Sequence, residues 1–186
     1  MAADQLFTAL MFATLITYMK CNIYFNLPFD ESPDITKLYV ANETIWTVNT
    51  TLQTNVTCKR DLVNNITGNV AYFERKYYYN AKKVSNYLQG QFTKLGLLTN
   101  KSTFDAMLVG PQGGLYTTTE QLLYQTKNYQ CGVFFVTMMN AGRHYEVRVK
   151  NTALKKPNRY CVQKFLQLSK GNFTNIYNDS CQTAPL

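Results

Sequence analysis

Residues 131–168 constrain the fold more than any other part of the chain. Residues 131–136 (CGVFFV) are β-branched and aromatic, and residues 143–149 (RHYEVRV) alternate polar with apolar side chains, which is the period of a half-buried strand. Asn140 and Gly142 lie between the two segments and suit a turn. The pattern therefore predicts a β-hairpin.

The segment after the hairpin predicts a helix. Pro157 suits its first turn, and Lys170 with Gly171 suits its end. Such a helix has an apolar side that can cover the hairpin. The residues on that side are Tyr160, Cys161, Val162, Phe165, Leu166 and Leu168.

The first strand of the hairpin is apolar on both faces. If Cys131 points toward the helix to meet Cys161, then Val133 and Phe135 point the same way, because side chains alternate along a strand. The opposite face then carries Gly132, Phe134 and Val136. Such a strand needs a layer on each side, which means the helix on one side and the inside of a closed or sandwiched sheet on the other.

Strand-like segments at a spacing of about ten residues account for most of the chain. They are rich in Thr, Val, Tyr and Phe, and short turns separate them. This order favours an all-β, up-and-down barrel, whose interior is wide enough for one small ligand when there are eight strands. An immunoglobulin-like sandwich is the rival fold, but Trp46 precedes Cys58 instead of lying between paired cysteines. The eight segments are residues 43–52, 57–63, 70–79, 84–94, 103–109, 115–126, 131–136 and 143–149.

The N-terminal segment is typical of a secretory signal peptide. Residues 6–16 (LFTALMFATLI) are mostly apolar but too few to cross a bilayer, which takes about 20 residues. We assign residues 1–21 to this leader and residues 22–186 to one domain, with a buried N-terminal helix as the alternative. Residues 32–41 then predict a short helix, with Ser32 as its cap.

Sequons and cysteines also indicate export. If Cys21 leaves with the leader, four of the five cysteines remain, an even number that suits two disulfides in an oxidising compartment. Asn-x-Ser/Thr sequons are denser than chance would give, so we expect a glycoprotein. They lie at Asn42, Asn49, Asn55, Asn65, Asn100, Asn172 and Asn178.

Charge and motifs narrow the function further. The net charge of +8 is compatible with anionic partners or with a solvated surface, and its spread along the chain argues against a nucleic-acid interface. His144 is the only histidine and no Cys-x-x-Cys pair occurs, so no metal site is expected. Without a nucleophile elbow, a phosphate loop or paired carboxylates, we expect neither a cofactor nor an enzyme.

The order and spacing of these features resemble the tick salivary lipocalins, often grouped as tick histamine-binding proteins. The resemblance covers most of the mature chain and includes Trp46 in the first strand and Tyr145-Glu146-Val147 in a late one. It implies an eight-stranded lipocalin barrel, or calyx, with a short N-terminal helix and a C-terminal helix packed outside. It also implies two disulfides, Cys58 with Cys181 and Cys131 with Cys161.

The resemblance further implies that a small host molecule binds inside the barrel. With Cys131 toward the helix, the next strand sends His144, Glu146 and Arg148 inward, where the two charges would need each other or a ligand; an exposed edge is the alternative. Trp46 is expected to face inward, because it alternates with Asn49, whose glycan needs solvent. The candidate ligand-binding residues are Trp46, Tyr72, Glu74, Phe104, Glu120, Tyr124, Phe134, Val136, Glu146 and Arg148.

The alternation of side chains does not by itself support the assignments of Tyr72, Glu74 and Glu120. The strand at residues 70–79 carries Tyr72 and Glu74 on one face and Phe73 and Arg75 on the other, and the sequence does not say which face is inside. Glu120 resembles a family position that supplies a carboxylate.

Departures from the family pattern bear on the ligand. A cationic amine needs carboxylates and aromatic faces around it. Amine-binding members have an acidic residue directly after the cysteine at position 131, where this chain has Gly132, and residues 52–55 (LQTN) lack acid as well. We therefore expect a lipophilic ligand, such as a sterol, fatty acid or eicosanoid, with Arg148 as the partner of a carboxylate head group. A single histamine or serotonin site is the alternative.

The resemblance also implies a physiological role. A secreted, monomeric carrier in tick saliva would dampen host inflammation or immunity by capturing its ligand, without a membrane span. The other class to consider is an immunomodulator that binds a host protein or immune-cell receptor through its surface, with residues 110–114 or 155–159 as candidate patches.

Overall fold

A closed antiparallel barrel accounts for most of the described residues. The computed structural model describes residues 33–96, 103–140, 142–156 and 159–183. The barrel strands are β1 (Thr44–Thr50), β2 (Val56–Thr67), β3 (Val70–Tyr79), β4 (Lys82–Thr93), β5 (Ala106–Pro111), β6 (Thr118–Gln125), β7 (Cys131–Met138) and β8 (Gly142–Lys150). Helix α1 (Ile35–Leu38) precedes them, and a 3-10 turn (Asn151–Ala153), α2 (Arg159–Ser169), the short strand β9 (Thr174–Asn175) and α3 (Ser180–Thr183) follow.

The first strand closes the barrel. Consecutive strands pair from β2 to β8, and β1 pairs with both β2 and β8. In this register Ile45 lies opposite Asp61 on one side and Lys150 on the other. The predicted eight-stranded up-and-down barrel is confirmed. Strand β9, which pairs Asn49 with Asn175, was not predicted, because two residues carry no periodic signal.

Several strands begin or end away from their predicted bounds. Strand β2 extends beyond the predicted residues 57–63, because Asn65, which lies in the predicted turn after them, pairs with Tyr72 on β3. Strand β5 starts at Ala106 and not at residue 103, because the preceding Asp105 carboxylate accepts hydrogen bonds from the backbone N–H groups of Leu95 (2.7 Å) and Gly96 (2.8 Å) in the loop. Side-chain hydrogen bonds of this kind hold a segment outside the sheet ladder.

Helix α1 seals one end of the barrel, which we call the closed end. Asp34 caps it by accepting a hydrogen bond from the Thr36 N–H at 3.1 Å, and its Ile35, Leu38 and following Tyr39 side chains are fully buried. The helix is shorter than the predicted residues 32–41, because Tyr39 is already extended. The predicted cap, Ser32, lies outside the described residues. The open end lies opposite and consists of residues 51–55, 80–81, 112–117 and 139–140.

The C-terminal segment covers the outer face of β1, β7 and β8. Disulfides Cys131–Cys161 and Cys58–Cys181 attach it at two points, with Cα–Cα distances of 6.3 and 5.2 Å, and both pairings are as predicted. They lie in an outer cluster with the buried residues Trp46, Val133, Val147, Val149, Leu154 and Phe165.

Helix α2 ends as predicted, with Lys170 and Gly171 both at positive φ. Two residues assigned to its apolar side, Tyr160 and Leu166, are exposed instead, since only about half of the helix faces the barrel. Pro157 and the leader at residues 1–21 lie outside the described residues. Within the described ranges, no helix is both long and apolar enough to cross a membrane.

Candidate ligand-binding site

A layer of charged side chains crosses the interior of the barrel at mid-height. Its six members come from the four strands β2, β3, β6 and β8. Strand alternation points the three carboxylates inward, because their cross-strand partners Ile45, Val136 and Phe134 belong to the buried interior. This charged layer consists of Lys59, Asp61, Arg75, Glu120, Glu146 and Arg148.

Two arginines connect the carboxylates of the charged layer. Arg75 donates to both oxygens of Asp61 at 2.7 and 2.8 Å and to Glu120 Oε1 at 2.8 Å. Arg148 donates to Glu146 Oε2 from Nε (2.9 Å) and Nη2 (2.6 Å), and its Nη1 contacts the other Glu120 oxygen. Glu120 therefore lies between two guanidinium groups. Such paired, charge-assisted bonds fix the side chains strongly.

Tyr39 and Lys59 extend this hydrogen bonding. The Tyr39 hydroxyl donates to Asp61 Oδ2 and accepts from Arg148 Nη1, both at 2.7 Å. Lys59 Nζ lies 2.6 Å from Glu146 Oε1. The layer thus holds three cations and three carboxylates, and its charges balance.

The carboxyl pKa values reflect this pairing. Burial acts to raise the pKa of Glu120, but Arg148 and Arg75 outweigh it and lower the pKa to about 2. Burial acts in the same direction on Glu146, and Lys59 and Arg148 hold its pKa well below the ordinary range. Both carboxylates are ionised at neutral pH, and both already have cationic partners.

An inner cluster of apolar side chains packs around the charged layer and fills the barrel toward the closed end. Tyr39 packs on the rings of Phe73 and Phe134, with centroids 5.9 and 6.3 Å apart. A Cβ added at Gly132 would lie 2.6 Å from Leu122 Cδ1, so this inward position is already occupied by neighbouring apolar groups. The main members are Ile35, Leu38, Tyr39, Ile45, Val63, Phe73, Phe92, Met107, Leu122, Phe134 and Val136.

An apolar groove lies at the open end, and we call it the mouth groove. Its volume is about 660 Å³, and it is lined by residues 115–118 and 138–140, including Leu115, Met138 and Met139. Met138 and Thr118 are also the outermost inward residues of β7 and β6, so the groove continues into the barrel. The inward row of β4 opens the same way, from buried Phe92 to exposed Asn86.

The structure brings half of the predicted site residues together. Phe134, Val136, Glu120, Glu146 and Arg148 all face the interior, and Arg148 donates hydrogen bonds to both glutamates. The expectation that Glu146 and Arg148 need each other is therefore confirmed. Phe104 lies at the closed end, where its ring centroid is 6.2 Å from that of Phe92.

Trp46 faces outward, so the expectation that it lines the interior is wrong. A bulge in β1 places Thr47 opposite Arg148 but Asn49 opposite Val147, so that Trp46 and Asn49 share the outer face. The indole is nonetheless buried, because Tyr177 packs edge-on at 5.2 Å.

A β-bulge likewise places Tyr124 on the outer face of the barrel and not in the interior. A bulge in β6 pairs Leu122 with Phe134 but Tyr124 with Val133, so that Tyr124 joins the outer cluster although Glu120 points inward. The alternation of residues that the sequence suggested does not hold across the bulge.

Tyr72 and Glu74 are also on the outside of the barrel. Phe73 and Arg75 take the inward face of β3, and Glu74 instead contacts Lys76 at 3.1 Å and Ser85 at 2.5 Å. The sequence leaves the two faces of this strand open, and in the structure Tyr72 and Glu74 do not line the interior.

Four members of the charged layer's network were missed as site residues: Lys59, Asp61, Arg75 and Tyr39. The sequence contains an indication for two of them. Asp61 lies two positions from buried Val63, and Arg75 lies two positions from buried Phe73, so each points to the same face of its strand as an apolar residue. A charged residue at an apolar position of a strand indicates a buried ion pair. Tyr39 has no such signal, because it follows a helix and precedes no regular alternation.

Comparison with known proteins identifies the architecture. The serotonin complex of AM182 superimposes with a TM-score of 0.61 and 18% identity, covering 87% of this chain and 99% of that chain. Japanin from Rhipicephalus appendiculatus bound to cholesterol gives 0.55 and 9%, covering 77% and 98%, and the cockroach allergen Per a 4 gives 0.56 and 14%, covering 86% and 98%. At these identities the likeness shows the lipocalin fold alone.

Sequence comparison gives the family. No curated protein sequence matches the chain. The family described as tick histamine binding protein matches residues 18–183, which is most of the chain, and both disulfides of the predicted framework are present. The protein therefore belongs to the tick histamine-binding protein family, whose members have the ligand-binding lipocalin fold.

Proposed function

We propose that this protein is a secreted tick salivary lipocalin that captures one small lipophilic host molecule through the open end of its barrel. Sterols, fatty acids and eicosanoids are the expected ligand classes. The protein acts by stoichiometric capture, and the removal of its ligand modulates the host inflammatory or immune response.

The pairing of the interior charges carries this proposal. Asp61, Glu120 and Glu146 each have a cationic side chain within 2.8 Å, so an ammonium ligand would have to displace an internal partner from every carboxylate that it approached. The mouth groove, in contrast, presents Leu115, Met138 and Met139 to an incoming molecule. An apolar wall with a few convergent polar groups beneath it suits a lipophile.

Several features support secretion. Two disulfides close the C-terminal segment onto the barrel, and such bonds persist in oxidising compartments. Residues 1–21 have the composition of a leader, and six of the sequons, all but Asn100, fall on described residues. The role in host immunity rests on family membership.

Native mass spectrometry tests the ligand class. The protein is purified from a eukaryotic secretion host, and its mass is compared before and after organic extraction, with calorimetric titration of histamine, serotonin, cholesterol and arachidonic acid. We expect one lipophile per chain and only weak amine binding. Submicromolar binding of either amine, without any lipophile bound, would overturn the proposal.

A matched pair of variants localises the binding. Met138→Arg places a long cation at the inward edge of the mouth groove, whereas Leu166→Arg makes the same type of change on the exposed face of α2. We expect M138R to lose lipophile binding and L166R to keep it. Effects on host cells that persist in M138R would instead indicate a partner bound at the outer surface.

A further inference from the structure

His144 has a buried nitrogen without a partner. It is the only histidine of the chain and lies on the inward face of β8, with 5% of its surface exposed. Its Nε2 is 3.1 Å from Glu146 Oε1, whereas Nδ1 has no hydrogen-bond partner among the described residues. An unpaired polar atom in a protein interior is costly, so a group that pairs with it on binding contributes affinity.

The neighbour of Nε2 decides the chemistry of Nδ1. An ionised carboxylate can only accept hydrogen bonds, so Nε2 must carry the proton that it shares with Glu146. The charged layer is already balanced by Lys59, Arg75 and Arg148, so a neutral imidazole keeps it balanced. In the neutral ring that is protonated on Nε2, Nδ1 is a hydrogen-bond acceptor.

The position of His144 relates it to the mouth groove. His144 pairs across strands with Val136, and Met138, which lines the groove, is the next inward residue of β7 toward the open end. Two residues along a strand span roughly 7 Å. A lipophile that lies in the groove with its polar end downward therefore reaches the level of His144.

We propose that His144 Nδ1 accepts a hydrogen bond from an uncharged O–H or N–H group of the bound lipophile, so that the site selects alcohols over carboxylic acids. This inference rests on the proposed function and sharpens it. A carboxylate head group would face the lone pair of Nδ1 and the nearby Glu146 and Glu120 oxygens. Arg148, which the sequence suggested as its partner, already donates to Glu146, Glu120 and Tyr39.

Alcohols and their methyl ethers provide the test, because they differ in the donated hydrogen and little else. Cholesterol with cholesteryl methyl ether, and 1-hexadecanol with its methyl ether and with palmitic acid, compete against a fluorescent lipophile for the full mature chain. We expect each alcohol to bind about three- to tenfold more tightly than its ether, the range that one net hydrogen bond gives. His144→Phe should bring this ratio to about one, and Leu166→Arg should leave it unchanged.

Nitrogen NMR provides a readout that does not depend on a variant that folds. With one histidine, imidazole ¹⁵N labelling gives a single pair of signals, and the Nδ1 resonance should be that of an unprotonated nitrogen that shifts on addition of the alcohol but not of the ether. Equal binding of alcohol and ether, preference for the acid, or an unmoved Nδ1 signal in the alcohol complex would overturn the inference while the proposed function stands. Failure of every lipophile to bind would instead refute the proposed function.

Discussion

At the residue scale, Arg148 holds the interior together. Its guanidinium joins Glu146 on its own strand, Glu120 on β6 and Tyr39 after α1, so that one side chain connects three elements. Replacing a whole buried ion network by apolar groups is often neutral, but removing one member leaves an unpaired charge in the interior. Removing Arg148 is therefore expected to destabilise the fold by more than the intact ion network stabilises it.

Removal of this one cation should destabilise the protein strongly. Arg148→Met keeps most of the side-chain volume but leaves Glu120 and Glu146 short of a partner, and we expect a loss of about 3–5 kcal/mol in the free energy of unfolding. Chemical denaturation followed by tryptophan fluorescence measures it. The control Lys76→Met breaks the outer pair with Glu74 and should cost about 1 kcal/mol or less. Equal losses in the two variants would contradict the structural role of the charged layer.

The same network predicts how stability depends on pH. The pKa of Glu120 is about 2 in the folded protein and near 4.5 when exposed, so its contribution is fully present above the higher value and is lost as pH falls toward the lower one. The free energy of unfolding, measured in urea at a series of pH values, should therefore decrease between these limits. Glu120→Gln should flatten the decrease, and an unchanged slope would count against the pairing.

At the element scale, the strands of the barrel pair regularly except for register shifts in β1, β2 and β6. The bulges in β1 and β6 each insert one residue and reverse which face the following side chains take. Asn49 therefore shares the outer face with Trp46, and Tyr124 leaves the interior. The C-terminal segment then buries Trp46 from outside, because β9 pairs with β1 and Cys181 is bonded to Cys58. The outer cluster thus depends on the attachment of a segment that is remote in sequence.

The two disulfides should contribute unequally to stability. They close loops with sequence separations of 123 and 30 residues, and on the chain-entropy account the longer loop gives about 5 kcal/mol and the shorter about 4 kcal/mol. Paired Cys→Ala variants of each bridge, unfolded in guanidinium chloride, compare them. We expect Cys58→Ala with Cys181→Ala to be the less stable double variant. The opposite order would mean that packing of α2 outweighs loop entropy.

At the scale of the whole molecule, the barrel interior changes character along its axis. The closed end is apolar and packed under Ile35 and Leu38, the middle carries balanced charges, and the open end exposes the mouth groove. The cations and carboxylates of the charged layer cancel, so this layer contributes nothing to the net charge of +8. A ligand that enters from the open end meets the apolar mouth groove first and the charged layer second.

The occupancy of each glycosylation site should depend on whether its asparagine is exposed or lies within the sheet. Asn42, Asn55, Asn65, Asn172 and Asn178 are exposed, whereas Asn49 is half-buried on β1 and paired with Asn175 of β9. We expect glycopeptide mass spectrometry of the secreted protein to find glycans at the exposed sites and none at Asn49. A fully occupied Asn49 would mean that β9 does not lie beside β1 in the secreted protein.

Local sequence patterns predict the eight barrel strands and the closure of the sheet, although not every strand boundary. The pairing of the cysteines is what the resemblance to a family implies. Alternation in residues 143–149 and the two apolar faces of residues 131–136, in contrast, predict which side chains of β7 and β8 point inward. These features are local, or depend on spacing, so a single chain displays them.

The faces of β1, β3 and β6 and the partners of the interior charges depend on contacts between strands that are distant in the sequence. A bulge is set by the register between two strands and leaves no mark on the alternation of one, which is why Trp46 and Tyr124 were misplaced. The partners of Arg75, which are Asp61 and Glu120 on other strands, are identified only by the three-dimensional structure. Buried charge is stable only in pairs, and pairing is a property of three-dimensional contact.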